Sequence, residues 1–149
     1  MESKNCVKQL RLISAFKARG YGRNWLEYID KEDSVFYVHD DNATGISKRS
    51  PDDSPGCIVV QNTSGEDCAL LKIDTVLFKS GTSCDCAVLS VNALRLNEFK
   101  TNCETTHPET ITERYKKAVS QLSETYVFVR DAVKAKGIDI NEVVDVSAN

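Results

Sequence analysis

The chain has 149 residues, of which 41% are hydrophobic and 28% charged, a balance that excludes a disordered or fibrous protein and suits one domain enclosing a single core. Its apolar runs fall short of a membrane span, and the opening MESKNCVKQL lacks the apolar centre of a secretory signal, so a cytoplasmic chain with no membrane partner is expected. A net charge of −3 argues against nucleic-acid binding driven by overall charge, while leaving room for a local basic surface or a cation-bridged contact with phosphates.

Residues 4–18 place Val7, Leu10, Ile13 and Phe16 near helical spacing. RGYG (19–22) interrupts that pattern, and RNWLEYIDKED (23–33) reads as a second short helical piece. SVFYVHD (34–40), aromatic and β-branched, predicts a strand. The stretch 40–56, rich in Asp, Ser, Pro and Gly, reads as a long exposed loop. CIVVQN (57–62), CALLKIDTVLF (68–78) and the hairpin CDCAVLSVNALRLNEFK (84–100) follow, separated by the turn signals TSGED and KSGTS, and predict an antiparallel meander. The clearest helix covers 109–136. A proline suits its first turn, Gly137 its end, and Ile111, Tyr115, Ala118, Val119, Leu122, Tyr126, Val129 and Val133 form an apolar stripe. EVVDV in the tail adds a short strand. The expected class is α/β (α+β), a meander flanked by an N-terminal helix and the long helix, in one domain over 1–149.

Six cysteines in a chain without secretory features read as buried and reduced, behaving as small hydrophobes. Cys84, Cys86, Cys103 and His107 offer four ligands for zinc but lack paired C-x2-C spacing, so zinc is the lesser reading. His39 and His107 form no nucleophile–base pair with a cysteine or serine. Neither GTSCD nor GYG has the spacing of a phosphate-binding loop.

The hairpin carries the chemistry. A two-residue loop at Val91–Asn92 or Asn92–Ala93 pairs positions summing to 183 or 185, and both sums put Asp85, Ala87 and Leu89 on one face with Leu94, Leu96, Glu98 and Lys100. One register sets Asp85 opposite Glu98, the other opposite Lys100. Neighbouring carboxylates resist joint ionisation unless a cation joins them, and Mg²⁺ or Mn²⁺ suits a few carboxylate oxygens with water or phosphate in its remaining positions. The bland alternative is a cross-strand ion pair at an exposed hairpin end, which is worth below about 1 kcal/mol.

An Asp at the start of one strand, Glu-x-Lys on the next and an amphipathic helix afterwards resemble the PD-(D/E)XK nuclease superfamily, with its restriction-endonuclease-like fold. The likeness covers residues 68–136. It implies hydrolysis of nucleic acid, DNA before RNA, with Asp85 and Glu98 binding Mg²⁺ (or Mn²⁺) and Lys100 assisting the attacking water. It also implies accessory positions, for which Lys117 and Gln121 on the helix and Glu27 near the start are candidates. Cys84 stands where the motif often has proline. A homodimer or larger complex would help a small acidic subunit engage duplex DNA. The alternative is a catalytically inactive nuclease-like domain serving as a protein-interaction or regulatory module.

Overall fold

The computed structural model describes residues 10–19, 24–41, 43–51, 53, 57–78, 82–99 and 107–149. In chain order the elements are α1 (Leu12–Lys17), β1 (Leu26–Ile29), β2 (Val35–Asp40), β3 (Ser47–Ser50), β4 (Ile58–Gln61), β5 (Cys68–Lys72), β6 (Cys86–Leu89), β7 (Ala93–Asn97), α2 (Pro108–Lys134), α3 (Ile140–Val143) and β8 (Asp145–Ala148). The class is mixed α+β. Five strands in the order β1-β5-β6-β7-β8 form one sheet, and β3-β2-β4 form a second, antiparallel one.

The two sides of the larger sheet explain its composition. Ala69, Leu71, Ala87, Leu89, Leu94 and Leu96 alternate onto one side and meet Leu12, Phe16, Val129, Ala132 and Val133 from the helices. Cys68, Leu70, Cys86 and Val88 alternate onto the other and meet Phe36 and Val38 of the smaller sheet. β5 and β6 are therefore apolar on both faces, as a strand covered on both sides must be. Cys68, Cys84 and Cys86 are buried free thiols. Burial raises the Cys68 thiol to about 11 and that of Cys84 to about 12, so these groups stay protonated and pack as hydrophobes.

The hairpin closes as the periodicity requires. Cys86, Ala87, Val88 and Leu89 face Asn97, Leu96, Arg95 and Leu94, and Ser90 donates its N–H to the Ala93 carbonyl at 2.8 Å around Val91 and Asn92. These pairs sum to 183, one of the two expected registers, over Cys86–Leu89 and Leu94–Asn97. The long helix also follows its pattern. It starts at Pro108, ends at Lys134, and the chain turns at Gly137 with φ of +78°, a conformation costly for a side chain.

Four expectations need correction. Residues 26–29 form β1 instead of a helical piece, because Leu26 through Ile29 find partners in Leu71 through Cys68 and Trp25 is buried edge-on against Phe16 at 4.8 Å. Tertiary pairing outweighs a weak local preference here. The expected loop at 40–56 contains β3. Asp41 accepts hydrogen bonds from Ala43, Thr44 and Gly45, the last at φ +70°, and this turn folds a polar segment back onto β2. The meander is shorter than expected: β4 joins β2 in the smaller sheet, and β5 stops at Lys72. Leu77 and Phe78 then donate to the Ile73 carbonyl around Thr75, whose φ is +64°. In the tail, 140–143 is a helical turn, and the strand falls at Asp145–Ala148, parallel to β7. Val7, within the expected first helix, lies outside the described residues.

Candidate functional site

Asp85 stands where the β6 ladder ends. Its N–H donates to Asn97 O at 3.1 Å, and its carbonyl accepts from the N–H groups of Ile73 and Asp74 at 3.1 and 3.2 Å. The carboxylate Oδ2 accepts the Phe99 N–H at 2.6 Å, one residue beyond Glu98. Asp85 therefore ties together the ends of β5, β6 and β7. The carboxylate also lies near Asp40, the last residue of β2 in the other sheet. The alternation of Ala87 and Leu89 toward the helices thus gives way, at Asp85, to a contact with the smaller sheet.

The start of β6 is pinned from the helical side. Gln121 Nε2 donates to Ser83 O at 3.0 Å, and the Cys84 N–H donates to Thr125 Oγ1 at 2.8 Å. The Thr125 hydroxyl in turn donates to Gln121 O at 2.8 Å. Thr125 is fully buried, so this chain of bonds satisfies a strand end that would otherwise lose its partners in the core.

Four carboxylates converge here. Asp40 and Asp74 join Asp85 and Glu98, and all three neighbours disfavour ionisation of Asp85. Burial is the larger cause; together they push its carboxyl up to about 7, against the pull of the Phe99 N–H. Asp40 is also raised, chiefly by burial and opposed by the Ser47 hydroxyl, which donates to Oδ1 at 2.9 Å. One Glu98 oxygen, Oε2, is buried. Asp74 Oδ1 is 3.5 Å from the Ser83 hydroxyl. His39 favours the ionised form of its neighbour Asp40, and its Nε2 is buried with no hydrogen-bond partner among the described residues.

Among the sequence-derived candidates, Asp85 and Glu98 come near each other just beyond the β6–β7 ladder, which ends at Cys86 and Asn97, and the Asp85 N–H donates to Asn97 O, one residue off that register. Lys100 lies outside the described residues. Gln121 reaches the segment just before Asp85, while Lys117, one turn earlier on α2, is exposed. Glu27 is not brought to the site. It sits on β1, two strands from β6, where Lys72 Nζ lies 3.2 Å and Arg49 Nε 4.0 Å from its carboxylate.

The sequence reading assigns no role to Asp40 or Asp74. A signal existed: each is an acid that ends an apolar strand run, VFYVHD and LLKID, as Asp85 begins one. What brings them together is long-range. The turn carrying Gly45 lies beside Thr75, with an ideal Gly45 Cβ position 3.7 Å from the Thr75 methyl.

The donor set is all oxygen, which suits a hard divalent cation. Among the described residues no three His, Cys, Asp or Glu side chains form a ready-made ligand group. Mg²⁺ typically needs only one or two carboxylates, with water and phosphate completing its shell. The pair Asp85 and Glu98 fits that demand. No family model, curated protein or solved structure matches the chain.

Proposed function

We propose that this protein is a metal-dependent nuclease with a restriction-endonuclease-like core, hydrolysing phosphodiester bonds of nucleic acid. The observation that carries the reading is the proximity of Asp85 and Glu98 beyond the ends of β6 and β7, where burial first and then the charges of Glu98, Asp40 and Asp74 push the Asp85 carboxyl up to about 7. Such crowding is a cost unless a cation relieves it. The chain order also supports the reading: an acid opening β6, an acid closing β7, the amphipathic α2, and then β8 beside β7.

Asp85 and Glu98 would hold Mg²⁺, which when bound supplies charge neutralisation at a phosphoryl oxygen and a water of lowered pKa. The Phe99 N–H fixes the Asp85 carboxylate, and Gln121 and Thr125 fix the strand that carries it. Lys100, two residues beyond Glu98, orients the water for in-line attack on phosphorus and offsets charge developing on the phosphate. Asp85 acts in its deprotonated form, so acid weakens metal binding and activity falls as pH drops.

The test is incubation with single- and double-stranded DNA and RNA, in Mg²⁺, Mn²⁺ or chelator. Expected is metal-dependent cleavage that falls on the order of a hundredfold or more in Asp85→Asn, Glu98→Gln and Lys100→Ala. Equal activity in those variants would sink the assignment.

A second reading, an inactive interaction module, is favoured by one feature. The N-terminal half of α2 leaves Ile111, Tyr115 and Val119 exposed at 48%, 71% and 44%. No cleavage of any substrate would favour it.

A further inference from the structure

The smaller sheet covers only part of the larger one. Its apolar contacts reach Cys68, Leu70, Cys86 and Val88 on β5 and β6, and that cluster holds no described residue of β7 or β8. Leu94 and Leu96 turn to the helical core, so Arg95 and Asn97 point to the side left open. Two clefts, of about 460 and 170 Å³, lie there between β4 and β7, and Val60, Gln61, Val88 and Arg95 line both. Among the described residues no carboxylate side chain lines either cleft.

The Arg95 guanidinium makes no hydrogen bond or ion pair among the described residues. The side-chain amide of Gln61 likewise has no partner among them, and Asn97 and Asn149 extend the polar lining. Asp145, the carboxylate nearest in register beside Ala93, forms no ion pair with Arg95. A free guanidinium among neutral amides in a trough is a receptor for a phosphodiester.

The trough also leads somewhere. At one end lie Asn97, the partner of Cys86 beside Asp85, and Ile58, the partner of Val38 two residues from Asp40. Arg95 pairs with Val88, which is three residues along the chain from Asp85, about 10 Å. At about 3.4 Å per nucleotide of a helical strand, that spans roughly three nucleotides. Face-packed sheets lie roughly 10 Å apart, so the step beside β4 is of the order of a single strand's thickness.

We propose that this trough binds the backbone of single-stranded nucleic acid, with Arg95 gripping a phosphate and leading the strand to the acidic cluster. The inference rests on the nuclease reading for its direction, but binding is measured apart from cleavage. Fluorescence anisotropy with labelled oligothymidylate, oligouridylate and a duplex, in chelator and across a salt series, tests it. Expected is binding of the single strands that weakens about tenfold in Arg95→Gln, with the log–log salt slope smaller by about 0.7. Arg95→Lys keeps the slope and Asp145→Asn tightens binding. Failure of the wild type to bind, unchanged affinity and slope in Arg95→Gln, or equal affinity for the duplex would overturn it. Arg95-dependent binding by a wild type that cleaves nothing would support the trough while overturning the nuclease reading.

Discussion

Asp85 combines two requirements that pull against each other. Its Oδ2 holds the Phe99 N–H at 2.6 Å, which favours the carboxylate, while burial and three acidic neighbours favour the acid. Asparagine keeps an acceptor for Phe99 and removes the charge. Asp85→Asn is therefore expected to stabilise the metal-free protein at pH 8, while abolishing metal-dependent cleavage; thermal melts in chelator check the first and the cleavage assay the second. Thr125 is a positioning residue of a different kind. Thr125→Val removes the acceptor for the buried Cys84 N–H and should cost about 1–3 kcal/mol in a denaturant titration. A loss well below that range would mean that this bond does not hold the start of β6.

At the scale of elements, the hairpin and α2 were legible because each repeats a short period. Alternation fixed which residues of 86–97 share a face, and the even turn at Val91–Asn92 fixed their register at 183. The helical stripe located α2 to within about two residues at each end, the usual uncertainty of a helix boundary. β1 and β3 were not legible, since LEYI and SKRS become strands only through partners distant in sequence or across a particular turn. The same holds for the site. Asp85 and Glu98 lie near each other at the end of one hairpin, whereas Asp40 arrives from another sheet. The packing account makes two demands here. Leu96→Ala, between β7 and the helices, should cost about 2–5 kcal/mol, and Gly137→Ala, at φ +78°, about 1 kcal/mol. Equilibrium unfolding measures both, and a neutral Leu96→Ala would contradict the assignment of that face to the core.

For the molecule as a whole, the acidic cluster links stability to pH. A carboxyl whose folded pKa is raised to about 7 binds more protons folded than unfolded, between the ordinary carboxylate range and pH 7. It destabilises the fold as pH rises through that window, and the cost is absent at lower pH. The metal-free protein should therefore melt at a higher temperature at pH 5.5 than at pH 8, with the difference reduced in Asp85→Asn. A divalent cation should reverse the trend by stabilising the fold most above pH 7, where Asp85 is ionised. The most direct measurement is calorimetric titration of Mn²⁺ at pH 8 into the wild type, Asp85→Asn and Glu98→Gln. A site formed by Asp85 and Glu98 predicts saturable binding in the wild type that each substitution removes. No binding in the wild type, or binding unchanged by both substitutions, would contradict it.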